Sequence, residues 1–386
     1  MIDAAPADKK AEAYLARYQY RTEFGLPEAD EDLDRALAAA ESRDAKDKNI
    51  DVLLAGGTRA FRNGEHEAAI GFFSEAIEAS PDDRRGYLTL GRLYAQQEDH
   101  EQAYEVLRKG VERAGEADLG LQLEAASALI SLKRLKQAGQ AIDRLEKQVA
   151  LTISREQPGW LMAVNMLRAK AALADNDHLT AVAHLHRIAS LQRSGARAVV
   201  DASGEAQVQW LLGRSYESLG AWDQAGSAFG KAADAQPQVA GLRLAAAAAW
   251  NAAGRVDEAV RQYEDGLAID DTVPEAWAAL AAALFQQQVT RPSPQRDWTR
   301  FEEVLRRSQT LSPDSTLLKL LEADFEATRG RLDLALELLH ACELAAGDDQ
   351  ELLARVALRY EQLRQPTQAD RLLAELRQRN GTESVP

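Results

Sequence analysis

Apolar residues along most of this chain recur every three or four positions, which is the spacing of one face of an α-helix. The segment 86–107, GYLTLGRLYAQQEDHEQAYEVL, shows the pattern, and the segment 209–229, QWLLGRSYESLGAWDQAGSAF, repeats it. Both read apolar-x-x-Leu-Gly-x-x-Tyr and then place an alanine nine residues after the tyrosine. The pattern predicts pairs of amphipathic helices that are joined by tight turns.

A register of 34 residues relates these segments to most of the chain. The unit that begins at Ala206 has Leu212 at position 7, Gly213 at position 8, Ala225 at position 20 and Phe229 at position 24. Small residues at positions 8, 20 and 27 let the two helices approach closely, and large residues at positions 4, 7, 11 and 24 fill the remaining volume. No unit can bury its apolar stripes alone, so we expect the units to stack on one another. Nine units begin at Ile50, Arg84, Leu119, Met162, Ala206, Ala240, Pro274, Thr316 and Gln350.

This register resembles the tetratricopeptide repeat family, whose unit carries the pattern W-x2-L-G-x2-Y…A-x3-F…P. Only Trp277 supplies the tryptophan, whereas the proline at position 32 occurs three times, as Pro81, Pro237 and Pro313. The resemblance implies an all-α fold, an α-α superhelical solenoid of helix pairs. Glycine tolerates the left-handed backbone that ends a helix, so we expect the first helix of a pair to stop at Gly64, Gly220, Gly254 and Gly330.

The same register divides the chain into segments. Residues 1–10 and 380–386 are predicted to be flexible tails, and residues 11–48 a degenerate N-terminal helical pair. The remaining segments are units 1–4 in residues 50–193, a hinge in residues 194–205, and units 5–9 in residues 206–379, with an insert near residues 286–297. The insert contains RPSP and is predicted to form a protruding loop between two helices.

Charge and composition exclude several classes of partner. The net charge of -15 opposes binding to nucleic acid and to anionic lipid, because both attract basic surfaces. No run of eighteen apolar residues is present, so the sequence predicts no membrane insertion. The N-terminal MIDAAPADKK lacks the apolar core of a secretory signal, which predicts a cytoplasmic protein if Met1 is the native start.

No arrangement of residues indicates catalysis, a metal site or a cofactor. His66, His100 and His178 all fall at position 17, where the second helix begins, and this shared position favours a role in packing or capping. His184 and His186 are two residues apart, whereas a helical metal pair needs a spacing of three or four. The single cysteine, Cys342, falls where a small buried residue is expected. We therefore expect that the protein is not an enzyme.

The family resemblance implies that the first helix of each pair lines a concave groove, with positions 2, 5, 9 and 12 facing the groove. Arg92, Lys170 and Arg214 share position 9, and a ladder of basic residues beside apolar side chains would suit an extended peptide with carboxylates and apolar anchors. The alternative is that these cations are solvated or pair with nearby acids. Phe285 is a further groove position, and the predicted peptide-binding residues are Phe61, Arg85, Arg92, Met166, Lys170, Trp210, Arg214 and Asn251.

These observations favour a non-catalytic scaffold that binds a partner protein or peptide in the groove. One alternative is that the array is the regulatory or substrate-recruiting arm of a larger enzyme or complex, such as a glycosyltransferase or a signalling protein. Self-association through the groove or through the ends of the array is a third possibility.

Overall fold

The prediction of an all-α chain is confirmed by a computed structural model. The structure describes residues 7–41, 49–115, 117–151, 157–193 and 202–382, and in these ranges it contains twenty α-helices, one short 3-10 turn and no β-strand. The chain divides into two compact units, Met1–Val200 and Asp201–Pro386, and each is described below by itself.

The first unit is a stack of five antiparallel helix pairs. Each helix packs against the next one along the chain, and the paired helices are α1 (Ala7–Glu23) with α2 (Ala29–Glu41), α3 (Ile50–Arg62) with α4 (His66–Ala79), α5 (Arg84–Gln96) with α6 (His100–Ala114), α7 (Leu119–Ser131) with α8 (Leu135–Leu151), and α9 (Gln157–Ala174) with α10 (His178–Arg193).

The second unit is built in the same way. Its pairs are α11 (Ala202–Ser218) with α12 (Trp222–Ala235), α13 (Ala240–Ala252) with α14 (Val256–Ile269), α15 (Pro274–Val289) with α16 (Thr299–Leu311), α17 (Thr316–Thr328) with α18 (Leu332–Ala346), and α19 (Gln350–Gln362) with α20 (Pro366–Thr382).

The turn inside each pair explains the spaced glycines. Gly220 and Gly254 adopt φ angles of 68° and 74°, in the left-handed region that side chains with a Cβ disfavour. The backbone N–H of the next residue, Ala221 or Arg255, donates back into the helix that has just ended. Gly64 and Gly330 have the same conformation, so the predicted glycine stops are confirmed.

Positions 8 and 20 of the register are points of close packing between helices. The ring of Phe229 lies so near Gly213 that a Cβ there would stand 2.5 Å from it, and Gly57 faces Phe73 in the same way at 2.4 Å. Seven units have a fully buried alanine at position 20: Ala69, Ala103, Ala138, Ala181, Ala225, Ala259 and Ala335. The small residues in the register are therefore contact points between helices, as the sequence predicted.

The N-terminal pair contains a fully buried carboxylate. The side chain of Asp32 on α2 accepts hydrogen bonds from Arg17 and Arg21 of α1, and Arg35 lies 3.7 Å away. Hydrogen bonding from Arg17, opposed by burial and assisted by the charges of the three arginines, holds the pKa of Asp32 below its ordinary value. This cluster links α1 to α2 where the repeat pattern is weakest.

The insert differs from the prediction of a protruding loop. Residues 286–289 continue α15 as helix, so the prediction was wrong for them. The connection that follows is held down, because the buried amide oxygen of Gln288 accepts a hydrogen bond from the backbone N–H of Asp297 at 2.9 Å. The ring of Trp298 then packs at 5.1 Å from Phe325 and 5.6 Å from Phe301. These contacts attach the connection to the core beneath it.

The helix bounds change the predicted division of the chain into segments. Residues 7–10 belong to α1 and residues 380–382 to α20, so the prediction of a flexible tail was wrong for these residues. Residues 202–205 begin α11, and residues 194–201 of the predicted hinge lie outside the described residues, as do residues 1–6 and 383–386. The hinge stays a prediction.

Candidate functional site

A groove runs along three first helices of the second unit, α15, α17 and α19. We call it the three-helix groove, and it has two lobes. The N-terminal lobe encloses about 560 Å³ between the first halves of the helices, and the C-terminal lobe encloses about 490 Å³ between their second halves. Both volumes fall in the range of about 300–1,000 Å³ that is typical of ligand sites.

The N-terminal lobe has an apolar floor. The methyl groups of Ala278, Ala279 and Ala282 on α15 form one side of this floor, and Leu317 and Leu321 of α17 form the other side. Small alanine side chains leave the space open, since a larger residue on the same helix face would fill it. Leu317 is 57% exposed although its side chain is fully apolar.

The C-terminal lobe has large apolar residues on two sides, and the polar Thr328 and Gln362 also line it. Phe285 and Val289 of α15 lie on one side, and Leu358 and Leu363 of α19 lie on the other. Leu358 is 53% exposed, and Val289 is 40% exposed. The groove therefore presents large apolar side chains to solvent at both of its ends.

An ion pair separates the two lobes. Arg359 of α19 donates to both carboxylate oxygens of Asp324 on α17, at 2.8 Å from Nη2 and 2.9 Å from Nε, and Arg359 lines both lobes. Arg355, one turn earlier on α19, lines the N-terminal lobe and is paired only with Glu351 of its own helix among the contacts of the described residues. Both members of this second pair are exposed, and such pairs contribute little to stability.

The positions that line the groove follow the register. Positions 2, 5, 9 and 12 of α15 are Glu275, Ala278, Ala282 and Phe285, and all four line one of the lobes. The same positions of α17 do so as well: Leu317, Leu320, Asp324 and Ala327. Of the residues that the sequence singled out, only Phe285 belongs to this groove.

The predicted basic residues of the first unit lie beside acids. Arg92 is 2.7 Å from Glu124, a residue of the next first helix, and Arg85 is 2.5 Å from Asp51 of the preceding one. Arg85 also pairs with Asp83, the residue that caps its own helix. These contacts agree with the alternative in which the cations pair with nearby acids, and a role in peptide binding stays a prediction.

The predicted basic residues are divided between the two compact units. Arg92 and Lys170 belong to the first, whereas Arg214 belongs to the second and pairs with Glu217 one turn along its own helix. Lys170 is half-buried. The ladder that the shared position 9 suggested is therefore not contained in one unit.

The predicted apolar anchors contribute mainly to the core. Trp210 of α11 packs with its ring centroid 5.0 Å from that of Phe229 on α12, between the two helices of its pair. Phe61 belongs to the cluster around Phe73, and Met166 is half-buried on α9. The side-chain oxygen of Asn251 is buried. Sequence position alone did not distinguish a groove residue from one that lies between paired helices.

Residues that could carry chemistry are held in structural roles. Cys342 is buried with its sulfur 3.8 Å from the carbonyl oxygen of Thr316, and burial raises the pKa of its thiol. Burial, followed by the charges of Arg187 and Arg168, lowers the pKa of His184, whose Nδ1 lies 2.9 Å from the side-chain oxygen of Asn165.

Within the described ranges, no group of three or more histidine, cysteine or acidic residues is placed to hold a metal ion. Within the same ranges, no helix combines the length and the apolarity that crossing a membrane requires.

One family model matches a part of the chain. The tetratricopeptide repeat family model matches residues 60–119, which include the whole of α4, α5 and α6. The chain matches no curated protein by sequence.

Several solved structures are similar to parts of the chain. The structure of PilW, described as a widely conserved type IV pilus biogenesis factor, is 15% identical, with a TM-score of 0.47 over 60% of this chain and 98% of that one. PilF of Pseudomonas aeruginosa is 18% identical, with a TM-score of 0.42 over 60% and 94%. YrrB, described as a TPR protein with an unusual peptide-binding site, is 16% identical, with a TM-score of 0.35 over 54% and 96%.

Proposed function

We propose that this tetratricopeptide repeat protein is a non-catalytic scaffold, and that its three-helix groove binds a segment of a partner protein. The observation that supports the proposal is the exposure of Leu317 in the N-terminal lobe and of Leu358 in the C-terminal lobe. Contiguous exposed apolar surface on a soluble protein is typical of interaction sites. A folded helical array holds this surface open because the lining side chains come from three helices that are fixed by their own partners.

The burial of Leu317 and Leu358 by a partner sets the scale of the expected binding energy. Removing one leucine side chain from water contributes roughly 1.5–3 kcal/mol. A partner that covers both Leu317 and Leu358 therefore gains enough to compensate for part of the cost of association. Replacing both by glutamate should abolish binding, because each would leave a charge under the partner.

The test uses three forms of the full chain. The first is the wild type, the second carries Leu317→Glu and Leu358→Glu, and the third carries Leu344→Glu as a matched control. Leu344 is 71% exposed on α18, the second helix of its pair, and does not line the groove. Partners captured from the native cell extract would be identified by mass spectrometry, purified and titrated calorimetrically against all three.

The proposal predicts one pattern of binding. A partner of the groove binds the wild type and the Leu344→Glu control with equal affinity and is lost from the double variant. Circular dichroism melts of the three proteins should coincide, since all three substitutions are on exposed positions. A partner that binds all three forms equally would exclude the groove as its site.

A further inference from the structure

The shape of the three-helix groove restricts what can fill it. Its two lobes are displaced along the helix axes, because the N-terminal lobe is lined by Ala278 and Ala282 and the C-terminal lobe by Phe285 and Val289. Residues seven apart on one helix are separated by about 10 Å. A ligand that occupies both lobes must therefore run along α15, α17 and α19.

Polar residues line the N-terminal lobe beside its apolar floor: Glu275, Ser312, Ser315, Arg355 and Arg359. The apolar floor itself offers few partners for an extended backbone. The backbone groups of the lining helices are used within those helices, and the floor of the N-terminal lobe consists of alanine and leucine side chains. An extended peptide lying there would bury N–H and C=O groups without partners, at a cost of roughly 1–3 kcal/mol for each group. A helix satisfies these groups internally.

Each lining helix presents a stripe with the spacing of a coiled-coil seam. The stripes repeat at intervals of four, three and four residues, and they are Ala278, Ala282, Phe285 and Val289 on α15, Leu317, Leu321, Asp324 and Thr328 on α17, and Glu351, Arg355, Leu358 and Gln362 on α19. A fourth helix with apolar residues at the same spacing would place its side chains into the gaps between these stripes.

We infer that the occupant of the groove is an amphipathic α-helix of the partner, with large apolar residues seven positions apart that enter the two lobes. This inference rests on the proposed function. The helix carries an acidic residue that faces Arg355, because this side chain is 48% exposed beside the N-terminal lobe and is held only by a weak pair with Glu351. Asp324 needs no such partner, since Arg359 already neutralises it.

The test uses synthetic helices against the full chain. A library of labelled peptides of about 20 residues, long enough to become helical when bound, would carry leucine, isoleucine, methionine or phenylalanine at the four-three-four positions. Each peptide also carries glutamate or lysine at the position facing Arg355. One control set has the same composition with the apolar positions scrambled, and a second has proline in the centre. Binding is measured by fluorescence anisotropy and the conformation of the bound peptide by circular dichroism.

The inference predicts that glutamate-bearing members of the library bind and gain helicity in the complex. Scrambled and proline peptides should bind at least about tenfold more weakly, because losing one buried leucine already costs about that much. Leu317→Glu and Leu358→Glu should each weaken binding by a similar factor, while Leu344→Glu leaves it unchanged. Arg355→Glu should reverse the preference, so that the lysine-bearing peptides bind more tightly.

Two results would overturn the inference and can be told apart from failure of the proposed function. If no library member shows binding that depends on Leu317 and Leu358, or if proline peptides bind as well as helical ones, the occupant is not such a helix. A natural partner that the groove variants lose would then still support the proposed function. If light scattering shows that the chain dimerises and that Leu317→Glu disrupts the dimer, a second copy occupies the groove, and the inference of a partner helix is wrong.

Discussion

Arg359 and Asp324, which are 35 residues apart in sequence, form the bridge between α19 and α17 at the centre of the three-helix groove. The guanidinium makes three hydrogen bonds to the carboxylate, and each side chain is about one quarter exposed. A guanidinium held through two of its nitrogens has a fixed orientation, so this pair also fixes the boundary between the two lobes.

The Arg359–Asp324 bridge should stabilise the second unit more than the exposed pair beside it. Arg359→Ala is expected to lower the free energy of unfolding by about 1 kcal/mol, whereas Arg355→Ala should lower it by about 0.3–0.5 kcal/mol, the usual contribution of an exposed pair within one helix. Urea denaturation of both variants measures the difference. Equal losses would show that the bridge between helices contributes no more than the local pair.

Two glycines of the same helix pair should respond to alanine in opposite ways. At Gly213 of α11 an added Cβ would stand 2.5 Å from the ring of Phe229, so Gly213→Ala should destabilise the protein by about 1–3 kcal/mol through overpacking. At Gly230 of α12 nothing lies within 4 Å, so Gly230→Ala should stabilise it by up to about 1 kcal/mol through helix propensity. Thermal melts measure whether each substitution raises or lowers the melting temperature. Stabilisation by Gly213→Ala would contradict the close approach of α11 and α12.

The buried Asp32 should make the first unit sensitive to acid. Because hydrogen bonding from Arg17 and the surrounding charges lower the pKa of Asp32 in the folded state, its stabilising contribution is present above the unfolded pKa of about 3.9. The contribution is lost as the pH falls through the lowered value. Asp32→Asn should therefore cost about 1–3 kcal/mol at neutral pH, and the cost should shrink as the pH falls below the unfolded pKa of about 3.9.

The matched control for Asp32 is Glu31→Gln. Glu31 is exposed and pairs with Arg35 one turn along α2, so its replacement should change stability by only about 0.3–0.5 kcal/mol. Denaturant curves at neutral and acidic pH separate the two variants. A cost of Asp32→Asn that did not depend on pH would indicate a steric effect rather than a lost charge.

Tyr360 should lose its phenolic proton at a higher pH than an ordinary tyrosine. Burial, together with the charge of Glu343 and a hydrogen bond to it at 3.4 Å, raises the pKa of Tyr360 to about 12. Spectrophotometric titration should show a phenolate signal at high pH that is missing from Tyr360→Phe. The same signal should move to lower pH in Glu343→Gln. Since the folded pKa exceeds the unfolded value of about 10, this tyrosine's contribution to stability is complete below pH 10. It is lost as the pH rises towards 12.

Much of the fold could be predicted because the relevant interactions join residues that are close to each other along the chain. The turn at Gly220 and the contact of Gly213 with Phe229 lie inside one unit of 34 residues, and the same residue types recur in the other units. Local spacing therefore identifies the helices, their ends and the points where paired helices touch. The insert was less predictable, since the hydrogen bond from Asp297 to Gln288 joins residues that lie outside the repeated pattern.

The candidate site was harder to predict, and the reasons can be seen at single residues. Trp210 and Ala278 share position 5 of the register, yet Trp210 packs between its paired helices and Ala278 lines an open groove. Arg92 and Asp324 share position 9, and each is paired with a residue from a neighbouring unit, Glu124 or Arg359. Position gives the approximate face of a helix, whereas the neighbouring units determine whether that face stays open.

The sequence by itself determined that this chain folds as helix pairs in a 34-residue register, because helix periodicity, glycine turns and small contact residues act over a few turns of chain. Only the tertiary structure decided where an apolar surface remains exposed and which charges are already paired. Leu317 is exposed and Leu318 is buried, although they are adjacent leucines on one helix. The register already places Leu317, at position 2, on the groove side of α17. Whether that side stays open depends on how the neighbouring helices pack, which no local pattern specifies.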